Sequence, residues 1–467
     1  MRLSAQTLDR LAPSIRRPGY DRGAQACGVV HLGLGAFHRA HQAVYTDDAM
    51  AAGDHGWGIV GVSLRSPAVR DALAPQDGFY SVAERGGSGE AIRVIGAVQR
   101  ALVGTEEPER VVAALADPNT HVVTLTVTEK GYRRAADGGL DQALGREELG
   151  RPTTIYGFLA AGLARRRAAG HAGLSIVSCD NLSGNGAQLA ALLEAFLERT
   201  DAALARWVRA ECAFPSTMVD RIVPASTPAS LDAAAERLGL RDEAAVITEP
   251  FRQWVIEDRF AGPRPRWEAG GADFVADVRQ YEIAKLRMLN GAHSALAYLG
   301  LRRGHSFVHE AMADAPLRAL VERLMREEAA TSFTPAPGQD LAAYANALLA
   351  RFANPALPHR LAQIAMDGSQ KIPQRWLETL QTHQARGQRC PAIIEALAAW
   401  TLHVRGDGGL VDDPAADGLK RLWQEAGLDG VAAALFGAGG FFSAWTASQS
   451  ELEDVRNAMV RLETDAE

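Results

Sequence analysis

CGVVHLGLGAFHRAH, residues 27–41, begins as a short apolar run, turns on two glycines and opens into helical spacing. A buried strand that ends in G-x-G and feeds a helix is the setting in which a chain holds a dinucleotide. There Gly33 makes the tight turn, and Gly35 lets a pyrophosphate approach the backbone amides of Ala36, Phe37 and His38 at the positive end of the helix. The third glycine of the G-x-G-x-x-G pattern is replaced by His38. A G-x-G by itself is a weak signal, and a plain strand-to-helix turn is the other reading of the same residues.

Outward from this turn, strand-like and helix-like segments alternate. WGIVGVSL (57–64), HVVTLTVT (121–128) and LSIVSCD (174–180) are short apolar runs. Between and after them, PERVVAALADP (108–118), IYGFLAAGLARRRAAG (155–170) and GAQLAALLEAFLER (186–199) have helical spacing. Repetition of strand and helix predicts a mostly parallel sheet covered by helices. After about residue 275 the pattern becomes long Ala/Leu-rich helical periodicity broken by Pro and Gly, as in DLAAYANALLARFANP and AIIEALAAWTLHVRG. The fold class expected is therefore α/β, with a dinucleotide-binding domain over 1–274 and an all-helical domain over 275–467. A second glycine cluster, FGAGGFF (436–442), follows helical sequence and reads as a helix-ending turn.

Composition narrows the function classes. The chain has 467 residues, 47% of them hydrophobic and 22% charged, the mix of a folded soluble enzyme. Its 49 Lys and Arg against 56 acidic residues give a net charge of −7, which speaks against nucleic acid or an anionic membrane as partner. No apolar run reaches the ~18 residues of a membrane span, and MRLSAQTLDRLAPSIRR has no signal-peptide core. Cys27, Cys179, Cys212 and Cys390 lie far apart with no CxxC pair, as expected of reduced cytoplasmic thiols. No metal site is expected, since His305 and His309 form an H-x-x-x-H without a third ligand in view.

The second strand ends SLRSPAVRD, where an NAD site usually places an acidic residue against the adenosine ribose. Arg65 stands there instead, either as a receiver for a 2′-phosphate, which keeps NADP open, or as a solvated surface arginine. Lys285, Asn290 and His293 lie in one strongly helical stretch. Lys285, Met288, Leu289 and Ala292 follow i, i+3, i+4, i+7 spacing, so Lys285 projects from an otherwise apolar face, and Asn290 lies off to one side at about 100° per residue. Burial lowers the pKa of a lysine and suits it to proton transfer. The bland alternative is a lysine that snorkels to water. SCDNLSGNG (178–186) ends a predicted parallel strand, the usual ligand end of such a sheet. Asn181 there is an uncharged donor suited to an oxyanion; Asp180 and Asn181 could equally cap the next helix. In FPSTMVDRIVP (214–224), Asp220 beside Arg221 reads as an ion pair or as a substrate contact.

Seven blocks, HLGLGAFHRAHQA, TLTVTEKGY, SCDNLSGNG, FPSTMVDRIVP, EPFRQWVIEDRF, YEIAKLRMLNGAHS and QIAMDGSQKIPQR, resemble in this order the polyol-specific long-chain dehydrogenases, the mannitol dehydrogenase family. The wording of EPFRQWVIEDRF and HRLAQIAMDGSQKIPQRW is most similar to members that interconvert D-fructuronate and D-mannonate. The resemblance implies a Rossmann-type domain followed by a helical one, and metal-independent hydride transfer to or from NAD by a monomer acting on a small uronate, ketose or polyol. In it, Lys285 matches the general acid–base, Asn181 and Asn290 the amides that hold the reacting oxygen, and Glu282 a relay of the lysine's proton to water. His293 matches a residue that positions substrate hydroxyls, and Asp220 and Lys371 match substrate contacts. A uronate also needs a cation for its carboxylate; Lys371, Arg375, Arg360 and Arg252 are available, Lys371 taken first. The alternatives are a mannitol- or arabinitol-type polyol 2-dehydrogenase and, in another class, a non-catalytic NAD-binding sensor.

Overall fold

A computed structural model describes residues 1–87, 89–135, 138–356, 358–407 and 409–464. They divide into two compact units, Met1–Arg279 and Gln280–Glu467.

In the first unit the strands are β1 (Val29–Leu32), β2 (Ile59–Ser63), β3 (Tyr80–Gly86), β4 (Gly89–Ile95), β5 (Val98–Val103), β6 (Val122–Leu125) and β7 (Ser175–Ser178). They are followed by β8 (Thr217–Asp220), β9 (Val246–Thr248), β10 (Gln253–Glu257) and β11 (Asp273–Val275). The main sheet is wholly parallel, in the order β5-β2-β1-β6-β7. Every residue of β1, β2, β6 and β7 is buried, which is why these strands read as unbroken apolar runs rather than alternating ones. The chain leaves β1 for β2 on one side and enters β6 on the other. The strand order therefore reverses between β1 and β6, and the carboxyl end of that crevice is where an open α/β sheet receives a ligand. Helices Pro108–Ala116, Ile155–Ala168 and Asn185–Thr200 match the three expected from spacing.

Two small sheets lay outside the sequence expectation: β11-β10-β8 and β4-β3-β9, each mixed parallel and antiparallel. The strands β8, β9 and β11 are only four, three and three residues long, too short to show a period.

Among its described residues the second unit is helical, and one large apolar cluster forms its core. Its centre is the helix Gly291–Arg302, buried from Gly291 to Gly300, as a helix apolar all round must be. Helices Leu361–Ala365 and Pro391–His403 pack on it. Three stretches are wound as π-helix: Lys285–Asn290, Leu324–Ala329 and Pro373–Leu377. The cluster FGAGGFF does end a helix: Ala416–Phe436 stops there, and the amides of Phe441 and Phe442 turn back to the carbonyls of Ala434 and Leu435. Among the described residues no helix is long and apolar enough to cross a membrane.

Candidate active site

Gly33 has a φ of 102°, and a Cβ there would overlap the carbonyl oxygen of Thr126, just past β6. Only glycine allows β1 to turn against the end of β6 this closely. Gly35 differs. Its own φ is an ordinary −100°, and the nearest atom to a Cβ built on it is the Gly33 carbonyl oxygen at 3.7 Å. A side chain at Gly35 would fill open space over the first turn of the helix, where amides have no intrahelical acceptor. The pair thus fits a dinucleotide phosphate, with Ala36 and Phe37 opening the helix behind it.

The His38 side chain is fully buried, stacked on His31 with ring centroids 3.4 Å apart, and so packs beneath the turn. Its bulk fills the interior where a third glycine would leave room for close helix–strand packing. Burial holds its pKa well below the usual 6.5, and lowers those of His31 and His41 to about 3. All three rings are neutral. Arg65, just past β2, is exposed, and among the described residues no partner is seen for its side chain.

At the end of β7, Asp180 accepts from the amides of Val127 and Thr128 and from the hydroxyl of Tyr132, so it ties the β6 loop to the β7 loop. The amide of Asn185 donates to the carbonyls of Asp180 and Thr217 and accepts from the Thr217 amide, which ties the same loop to β8. Between these staples Asn181 stands exposed. Neither Asp180 nor Asn181 caps the following helix: its N-cap is Gly184, with no side-chain bond. Asn185 is the positioning residue the sequence reading passed over, and its setting between Gly184 and Gly186 was the available signal.

Asp220 ends β8 and is 5% exposed. Arg221 is no ion-pair partner for it. The guanidinium pairs with Glu84 and donates to the carbonyls of Glu249 and Ala40. The charge of its sequence neighbour is thus engaged elsewhere.

In the second unit Glu282 is buried and Lys285 half-buried, and Lys285 starts the first π-helical stretch, which ends at Asn290. In an α-helix residues five apart point about 140° away from each other; the wider π turn brings them towards one line. Lys285 and Asn290 thus share a side of the helix more closely than α spacing predicts. His293, 7% exposed, lies between the rings of Phe352 (4.4 Å) and His359 (5.4 Å). Burial first, then the charges of its neighbours His359, Arg351 and Arg375, hold it neutral. A neutral imidazole can both donate to and accept from a hydroxyl.

The four cations available for a carboxylate separate clearly. Arg252 is bound to Asp48 at 2.7 Å and to the Gly270 carbonyl. Arg360 is exposed, stacked over Phe307. Lys371 donates to the Met366 carbonyl at 2.5 Å and lies 3.8 Å from the Asp367 carboxylate. Arg375 donates to the hydroxyl of Ser294 at 2.6 Å and, at 3.4 Å, to the carbonyl of Asn290.

The comparisons with known proteins agree on the chain's relatives. Residues 27–269 match the mannitol dehydrogenase Rossmann domain, and residues 277–454 the mannitol dehydrogenase C-terminal domain. D-mannonate oxidoreductase of Escherichia coli (strain K12) is 40% identical over 445 residues, 92% of this chain and 91% of that protein. A mannitol 2-dehydrogenase of Pyricularia oryzae is 36% identical over 433 residues, 89% of this chain and 86% of its own length. The Pseudomonas fluorescens mannitol 2-dehydrogenase, solved as a ternary complex with NAD and D-mannitol, superposes with a TM-score of 0.84 at 35% identity, covering 100% of this chain and 98% of that one. This chain belongs to the mannitol dehydrogenase family and is an oxidoreductase.

Proposed function

We propose that this protein is an NAD-dependent reductase of D-fructuronate, forming D-mannonate reversibly. The observation that carries the reading is Lys285: a half-buried lysine opening a π turn whose far end is Asn290, one turn after buried Glu282. Gly33, Gly35, Ala36 and Phe37 would hold NADH, which would supply the hydride to the carbonyl carbon.

As that carbon accepts the hydride, its oxygen takes up negative charge. The side-chain amides of Asn181 and Asn290 donate to it without changing charge themselves, and such fixed donors stabilise the transition state. The Lys285 ammonium gives its proton to the oxygen, completing the alcohol, and Glu282 returns a proton from water to the amine. His293, held neutral, and Asp220 orient the substrate's hydroxyls. In the oxidative direction each transfer reverses.

Similarity to the D-mannonate oxidoreductase favours a uronate, and similarity to the mannitol 2-dehydrogenases favours a neutral ketose as the second reading. The test is NADH oxidation measured side by side on D-fructuronate and D-fructose. A kcat/KM at least tenfold higher on fructuronate is expected; comparable efficiency on fructose overturns the uronate assignment. The sensor alternative predicts no turnover on either substrate.

A further inference from the structure

Arg375 sits in the π turn Pro373–Leu377, packed on the π turn Lys285–Asn290 and the start of the central helix. The packing is close. The Trp376 indole N–H donates to the Gly291 carbonyl at 3.1 Å, and a Cβ on Gly291 would lie 3.3 Å from the Arg375 carbonyl oxygen. This fixes the guanidinium beside Asn290 and Ser294.

A guanidinium has five N–H donors in a rigid fork. Here both hydrogen bonds come from Nη1, and neither acceptor carries charge. Among the described residues no carboxylate pairs with Arg375, so Nε and Nη2 are left to other acceptors. The side chain is largely buried yet keeps some accessible surface. Burial pushes its pKa down to about 10, so it remains a cation at neutral pH. A buried cation without a counter-charge is costly, and such a residue is retained where a ligand brings the missing anion. Its charge also depresses the pKa values of His293 and Lys371, which places it near both. Lys371, by contrast, already has a carbonyl and a carboxylate beside it.

We propose that Arg375, not Lys371, is the residue that reads the substrate's carboxylate, with Nε and Nη2 as its donors, and so sets the preference for a uronate over a neutral ketose. The proposal rests on the uronate reading above. Geometry supports it further: the guanidinium is held against the stretch that carries Asn290, Ser294 and His293, through the Ser294 hydroxyl and the Asn290 carbonyl.

The test is the ratio of kcat/KM for D-fructuronate to that for D-fructose in the wild type and in Arg375→Met, Arg375→Lys, Lys371→Met and Arg351→Met. Losing a charged hydrogen-bonded partner predicts a fall in the ratio on the order of 10²-fold for Arg375→Met, with the loss confined mainly to fructuronate. Arg375→Lys recovers part of it. An Arg375→Met variant that loses activity on both substrates equally overturns the proposal, as does a selective loss that appears in Lys371→Met or Arg351→Met instead. A wild-type enzyme with no preference for fructuronate fails the uronate reading itself, whatever the variants do. Thermal unfolding and NADH binding of each variant separate a folding defect from a specificity change.

Discussion

In the first unit, the guanidinium of Arg221 meets Glu84 and two backbone carbonyls, that of Arg166 meets the carbonyls of Leu115, Asp117 and Ala172, and that of Arg93 meets Asp47 and Asp48. In the second unit, Arg375 has one hydroxyl and one long carbonyl contact, and Lys285 opens a π turn half-buried. The first unit spends its buried charge on holding loops in place, as Asp180 does beside Asn181. The second keeps Arg375 without an internal counter-charge. Charges that tie loops together build a scaffold, and a charge left uncompensated is one that a substrate can complete.

The sharpest way to break this contrast is Lys285→Ala. Loss of a general acid–base costs at least ~10²-fold in kcat, and retained NADH binding should show that only proton transfer was removed. Turnover that survives the substitution ends the mechanism. Gly33→Ala attacks the scaffold instead. A positive φ and an overlap with the Thr126 carbonyl predict a loss of at least about 3 kcal/mol in unfolding free energy, together with weakened NADH binding, read by denaturant titration and by fluorescence.

The buried histidines give a pH prediction for the same unit. His31 and His41 have folded pKa values of about 3 against about 6.5 unfolded. Above pH 6.5 neither state binds the proton and stability is level. Below it the unfolded chain takes up protons that the folded chain refuses, so stability falls through the window from about 6.5 to about 3. Each ring contributes up to about 1.4 kcal/mol per pH unit. Tm measured from pH 7 to pH 4 should drop less steeply in His31→Gln than in the wild type. The smallest effect belongs to Arg65→Ala. With an exposed side chain and no ion pair to lose, NADH kcat/KM should change less than about threefold. A larger loss would make Arg65 a cofactor contact.

The parallel core was legible because β1, β2, β6 and β7 are buried on both faces and leave continuous runs of Val, Ile and Leu. The helices of the second unit were legible from their spacing. The hairpin β3–β4 was not, since ERGGSGEAIR mixes charge and glycine, and β3 takes distant β9 as its other neighbour. The ring that His38 packs against was not legible either: only the fold brings it onto His31.

The groups proposed to carry the chemistry are written in residue order: Asn181, then Lys285, Asn290 and His293 at fixed offsets, behind a glycine turn. Their charge states and partners are not, because these depend on which distant atoms share the space. Arg221 and Arg375 both read as arginines amid apolar sequence. Folding gave one a carboxylate from another strand and gave the other none, and that contrast, set by packing across many residues of chain, divides scaffold from specificity.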